Sequence, residues 1–147
     1  IIIESGSDAS GKATQTRKLY DRLVKDGYNV KKVEYPNYKS QSSALVKMYL
    51  NGDFGKNAGD VDAYIASTFF AADRYASFKT EWEEFYNNGG IIIADRYTTS
   101  NMVHQASKMD ESERPIAQQI FGNDVDSFVS AAKKIESIMH PDIIVIW

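Results

Sequence analysis

Cysteine is absent from the 147 residues, so the chain has no disulfide frame and no thiolate metal site, which fits a reducing compartment. Net charge is also small. The 17 Lys and Arg face 20 Asp and Glu, leaving −3, which is not the basic surface that nucleic acid demands. A small anionic ligand is still allowed. No apolar run approaches the ~20 residues of a membrane span, and no signal peptide precedes the first apolar strand. Repeats, low-complexity tracts and linkers are lacking too. The expectation is one cytoplasmic domain, residues 1–147, able to bury a proper core, with no nucleic-acid or membrane partner. The chain opens inside one apolar strand and stops inside another, Asp142–Trp147, so both ends are expected to be trimmed.

What is present begins at Ile1–Thr14, where an apolar run breaks into a glycine-bounded loop and then into a helix. Gly6, Gly11 and Lys12 form G-x-x-x-x-G-K around Ser7, Asp8, Ala9 and Ser10, which is the phosphate-binding loop in all but one position. A polyphosphate needs many donors in a small volume, and backbone N–H groups supply them where side chains would be too bulky. Glycines allow positive φ and close approach, and the helix beginning near Lys12 turns its free N–H groups and positive dipole end toward the anion. Lys12 adds a mobile ammonium for the terminal phosphates. The departing position is Ala13, where a Ser or Thr would hold magnesium, and Thr14 comes one residue late.

The first helix, with Leu19, Leu23 and Val24 on its apolar face, should end near Asp26 with Gly27 as its cap. Tyr28–Glu34 then reads as a second strand, stopped by Pro36, and Ala44–Leu50 as a short helix. A long helix is expected from about Asp60 to Tyr86 with a core stripe of Ile65, Phe69, Ala72 and Ala76. A third strand follows at Ile91–Asp95, then a helix from Thr99 or Ser100, another at Asp124–Met139, and a last strand after Pro141. Apolar strands separated by helices imply an α/β fold whose parallel sheet is covered on both faces. Right-handed crossovers bring the loops after the first and third strands to one end of that sheet, where ligands bind.

Asp95 ends the third strand at that end, which is where a phosphate-loop enzyme keeps the carboxylate that orients magnesium; the plain alternative is a carboxylate that caps the next turn. Arg96 beside it suits a second phosphate, one belonging to an acceptor, unless it is a solvated surface arginine. On the long helix, Phe70, Asp73, Arg74 and Ser77 share a face rotated away from the core stripe. Phe70 could stack a base whose edge Arg74 hydrogen-bonds, or it is ordinary packing beside a solvated cation.

Taken together, the phosphate loop with Asp8, F-A-A-D-R at Phe70–Arg74, D-R-Y-T-T-S-N at Asp95–Asn101, and Gln105 resemble the bacterial type of the thymidylate kinase family. The likeness runs in order from Ile1 to about Gln105 and resumes at Pro141 and Asp142. It implies a P-loop kinase fold, transfer of the γ-phosphoryl group of ATP to thymidine monophosphate with magnesium, and a homodimer. By the same resemblance Gly6 to Thr14 hold the nucleotide phosphates, Lys12 neutralises the transferring group, and Asp8 lies near the acceptor's 3′-hydroxyl. Asp95 serves magnesium, Phe70 and Arg74 take the thymine, and Arg96 grips the acceptor phosphate beside Tyr97. Asn101 and Gln105 line the base and sugar pocket, and His104 stands where an aromatic residue is common.

The departures are Ala13, the run Tyr35, Pro36, Asn37, Tyr38 in place of a phenylalanine, proline, arginine run, and Ala9 where eukaryotic members carry a loop arginine. Lys39 is the expected substitute for the missing arginine. A lid carrying catalytic arginines should follow the strand at Ile143–Trp147, and it and the C-terminal elements are not in this sequence. No histidine base is needed, because phosphoryl transfer rests on alignment and charge stabilisation. Two rivals stay open: a deoxynucleoside kinase, and a nucleotide-binding regulator with weakened catalysis.

Overall fold

Three neighbouring apolar residues at each of Ile1–Ile3 and Ile91–Ile93 decide where the sheet forms, because strands buried on both faces need no polar alternation. The computed structural model describes residues 1–4, 11–106 and 108, and the backbone of 144–146. In it β1 (Ile2–Glu4), β2 (Val30–Glu34), β3 (Ile91–Asp95) and β4 (Ile144–Ile146) form one parallel sheet in the order β2-β3-β1-β4. The register pairs Ile2 with Ala94 and Ile3 with Asp95, so the carboxyl ends of β1 and β3 lie side by side. The expected parallel architecture is met, while the expected helix at Asp124–Met139 lies outside the described residues.

Alternation along the strands sorts two faces. Ile2, Val33, Ile92 and Ala94 join Tyr35, Phe78, Trp82 and Tyr97 in one core cluster. Helix α1 (Lys12–Lys25) packs against β1, β2 and β3 and contributes the fully buried Thr16, whose hydroxyl donates to Lys12 O at 2.9 Å. Ile93, with no exposed surface, is the kind of side chain whose burial contributes about 1.5–3 kcal/mol. The expected apolar face of α1 is only partly met, since Val24 is 47% exposed.

Helix α2 (Ala44–Asn51) matches its expected span and ends on Gly52 at φ 80, a left-handed cap that an L side chain would strain. The long helix does not run as expected. Helix α3 (Ala63–Ser77) starts three residues later than Asp60 because Asp62 caps it, accepting from Tyr64 N at 2.8 Å and Ile65 N at 3.2 Å. Asp60 closes a separate short turn with Asn57. At the other end a wide π-type turn, Phe78–Trp82, separates α3 from α4 (Glu83–Asn87). Both Phe78 and Trp82 are buried there, and the expected stripe fails with it. Ile65 is 53% exposed and Ala72 is also exposed, whereas Ala63, Ala66, Asp73, Arg74 and Ser77 are buried. Helix α3 turns its polar face inward, toward α5 (Thr98–Ala106) and the turn at Gln41–Ser43.

The π-type turn delivers Trp82 Nε1 to the Tyr35 hydroxyl at 3.0 Å. That hydroxyl donates to Ser77 Oγ at 3.1 Å, and Ser77 Oγ donates to Glu81 Oε2 at 3.0 Å. Burial pushes the Tyr35 hydroxyl above its ordinary value of 10.0, against the pull of Ser77 and Trp82, so it stays neutral. Tyr35→Phe would leave the buried indole N–H without its acceptor, and we expect a loss of about 1–3 kcal/mol in urea unfolding. An unchanged midpoint and slope would show that this chain of donors contributes nothing.

Candidate functional site

Two parallel strand ends and two helix starts converge at one edge of the sheet. Gly11, at φ 84, leads into α1 without a side-chain cap among the described residues, and the start of that helix carries its positive dipole end. Gly6, Ser7, Asp8, Ala9 and Ser10 lie outside the described residues. Lys12 Nζ donates to Asp95 Oδ1, and both side chains are largely buried. Ala13 and Thr14 stand exposed on the first turn. The two sequence features read separately, loop lysine and strand-end carboxylate, are thus in direct contact across β1 and β3.

From Asp95 the chain turns sharply. Arg96 adopts φ 65, the left-handed region that non-glycine residues rarely enter, at a cost of roughly 1–2 kcal/mol. Its N–H donates to Ile3 O at 3.1 Å and the N–H of Tyr97 donates to Glu4 Oε1 at 2.8 Å, which hold the turn. Helix α5 then carries Ser100 and Asn101, His104 and Gln105, and Lys108 just beyond its end, at helical spacing along one wall.

That wall encloses a cavity of about 810 Å³. Its floor includes Phe70, with the Tyr49 ring edge-on at 6.1 Å, and Leu50 beside them. Arg74, Arg96 and Tyr97 also line it, with Tyr35, Pro36 and Tyr38 contributed by the segment after β2. Phe70 is half-buried there, not interred in the sheet core. The Arg74 guanidinium sits 5.8 Å from the centre of the Tyr97 ring, which in turn meets the Tyr35 ring at 5.6 Å. Burial pulls the Arg74 pKa below its ordinary value, while Tyr97, Tyr35, Asp73 and Glu4 push it back; the guanidinium stays charged.

Three buried polar atoms on this wall have no hydrogen-bond partner among the described residues: Arg74 Nε, Asn101 Oδ1 and Gln105 Oε1. Buried polar groups are ordinarily satisfied, so three such orphans on residues that line one cavity point to a ligand with donors and acceptors. An aromatic ring, polar side chains and the cation of Arg96 around one cavity suit a planar base joined to an anion.

Of the expected acceptor residues, Phe70, Arg74, Arg96, Tyr97, Asn101 and Gln105 come together, and His104 joins them. Lys39 does not. It is exposed and is not among the residues that line the cavity, although Tyr38 beside it is; the segment is tied to Asp73 and Glu81. Asn37 N donates to Asp73 Oδ2 at 2.8 Å, Asn37 Nδ2 donates to Glu81 Oε1 at 2.7 Å, and Ser42 Oγ donates to Asp73 Oδ1 at 2.6 Å. Sequence reasoning missed Asp73 as the clamp of this segment, and it missed Glu4, a carboxylate 3% exposed at the end of β1. The signal for Glu4 was available: like Asp95, it is a carboxylate at the carboxyl end of a buried strand. Among the described residues no helix is long and apolar enough to cross a membrane.

Comparison with known proteins gives the same direction. The family model described as "Thymidylate kinase" matches residues 3–137. A Staphylothermus marinus protein named "Probable thymidylate kinase" is 32% identical over 107 residues, covering 73% of this chain and 50% of its own. The thymidylate kinase of Mycobacterium tuberculosis strain H37Rv is 29% identical over 113 residues, covering 76% of this chain and 51% of its own. The chain therefore spans about half the length of these curated relatives. Among solved structures, the crystal structure of thymidylate kinase from Ehrlichia chaffeensis superposes with a TM-score of 0.63 at 23% identity, covering 99% of this chain and 73% of that one.

Proposed function

Because the chain belongs to the thymidylate kinase family, we propose that the intact protein transfers the γ-phosphoryl group of ATP to thymidine monophosphate, giving thymidine diphosphate. The observation that carries this reading is the trio of buried, unpartnered polar atoms on Arg74, Asn101 and Gln105, three residues that line one cavity together with Phe70 and Arg96. Phe70 stacks the pyrimidine, Arg74 meets its edge, and Asn101 and Gln105 complete the base and sugar contacts. Arg96, aimed by its left-handed turn beside Tyr97, takes the acceptor phosphate.

On the donor side, the segment Gly6 to Thr14 wraps the phosphates of ATP, Lys12 neutralises the transferring group, and Asp8 lies toward the acceptor sugar. Asp95 is the residue that would hold magnesium, an ion that commonly binds through one or two carboxylates and completes its shell with phosphate oxygens and water. Such a set suits a site where, among the described residues, no three His, Asp or Glu side chains gather to hold a metal. Bound there, the ion supplies charge neutralisation on the phosphate oxygens. The absence of a hydroxyl at Ala13 lowers magnesium affinity without removing the carboxylate.

Residues 1–147 form one P-loop kinase domain in this reading, with catalytic arginines supplied by a lid. A homodimer belongs to the same reading, and sedimentation of the intact protein would report it.

The test is ADP formation by the intact protein with thymidine monophosphate against thymidine. We expect turnover with the monophosphate alone. Activity only with thymidine would favour a deoxynucleoside kinase, and nucleotide binding without any transfer would favour a regulator.

A further inference from the structure

Glu4 belongs to none of the roles assigned above, yet among the described residues its carboxylate accepts from the acceptor side of the site. Oε1 accepts from Tyr97 N–H at 2.8 Å and from Ser100 N–H at 3.2 Å, and Oε2 accepts from Ser100 Oγ. The three donors come from one short segment that opens α5, and both Tyr97 and Ser100 line the cavity. Glu4 lies behind that wall with 3% of its surface exposed. From the next strand it supplies the negative charge that the N-terminus of α5 attracts.

We infer that Glu4 is a positioning residue for the acceptor site, fixing the left-handed turn at Arg96 and the first turn of α5 so that Arg96, Tyr97 and Ser100 face the cavity. The inference rests on the kinase reading for what the cavity binds. Arg96 alone has two ways out of its φ of 65, since a non-glycine residue left unsupported relaxes to negative φ or the whole turn shifts. Ile3 O holds the residue itself at 3.1 Å, and Glu4 holds the two positions on its far side. Take away the carboxylate and the guanidinium loses its aim, although nothing that touches the substrate has been changed. Glu4 also stands two residues before Gly6, so the acceptor turn is anchored to the strand that leads into the donor site.

The variant to make is Glu4→Gln in the intact protein. The amide keeps the shape and one acceptor oxygen, but its nitrogen cannot accept the Ser100 hydroxyl proton, and the charge is gone. We expect the KM for thymidine monophosphate to rise roughly tenfold, the equivalent of one charge-assisted hydrogen bond, with the KM for ATP little changed. A residue that merely stabilised the fold would reduce the active fraction, which lowers apparent kcat and leaves both KM values alone. Should Glu4→Gln fail to fold, Glu4→Asp keeps the charge and shortens the reach, and the same acceptor-selective rise is expected at smaller size. Unchanged acceptor KM in a folded variant, or equal rises for both nucleotides, would overturn the inference while leaving the kinase reading intact. A wild-type protein that turns over no thymidine monophosphate would overturn that reading and the inference with it.

Discussion

Lys12→Ala should lower the rate of phosphoryl transfer by roughly 10²–10³, about 2.7–4 kcal/mol in the barrier, the usual effect of removing one preorganised group that meets developing charge. The lysine opens α1, where the positive end of the helix dipole already favours an anion, so ATP binding should survive better than turnover. Its present partner complicates the measurement in a useful way. Lys12 Nζ donates to Asp95 Oδ1 in a largely buried pair, and taking one member away leaves an uncompensated carboxylate. Thermal stability should therefore fall as well, and the rate has to be taken per folded molecule, with ATP affinity measured alongside. An unchanged rate would remove Lys12 from the mechanism. A loss confined to stability would leave it a structural ion pair.

The second large effect is expected at Arg74. Arg74→Ala should weaken thymidine monophosphate roughly 10–100-fold while leaving ATP binding nearly intact, as deletion of a charged donor worth ~1.5–3 kcal/mol implies. The stability cost should be modest. The neighbouring Asp73 is already satisfied by Asn37 N and Ser42 Oγ, so the substitution strands no carboxylate, and Arg74 Nε has no partner to lose among the described residues. What the fold does lose is the guanidinium over the Tyr97 ring. Equal weakening of both nucleotides would mean that this packing, and not recognition, is the residue's contribution.

The contrast between these residues and the rest of α3 explains how far the sequence could be read. Strand β3 was legible to the residue, because Ile91–Ala94 is a short apolar run between a glycine pair and a carboxylate, and nothing else fits it. Helix α2 was legible from its glycine cap. The core stripe of α3 was not. Apolar periodicity assumes that the inward face is the greasy one, but this helix turns Asp73, Arg74 and Ser77 inward to serve a clamp, a cavity and a donor chain, and leaves Ile65 and Tyr75 exposed. The helix face carrying Phe70, Asp73, Arg74 and Ser77 is legible from spacing alone, and three of those four residues are buried.

The π-type turn and the partners of Glu4 are hidden for a different reason. Both depend on residues far along the chain: Trp82 turns inward to reach Tyr35, and Glu4 meets donors at Tyr97 and Ser100. The place of Glu4 at a strand end is local pattern, but such pairings are not. Motif spacing does better where the chemistry is fixed by a ligand, which is why Lys12 and Asp95 could be named from the sequence before the strands brought them into contact. Lys39 was named as a substitute for an absent arginine, a reading by subtraction, and it had no geometry behind it.

The most direct test is a crystal structure of the intact protein with thymidine monophosphate bound. The account predicts the pyrimidine stacked on the ring of Phe70, its edge hydrogen-bonded to Arg74 and to the amides of Asn101 and Gln105, and its phosphate against Arg96. A nucleotide bound elsewhere, with those three polar atoms still unpartnered, would contradict it.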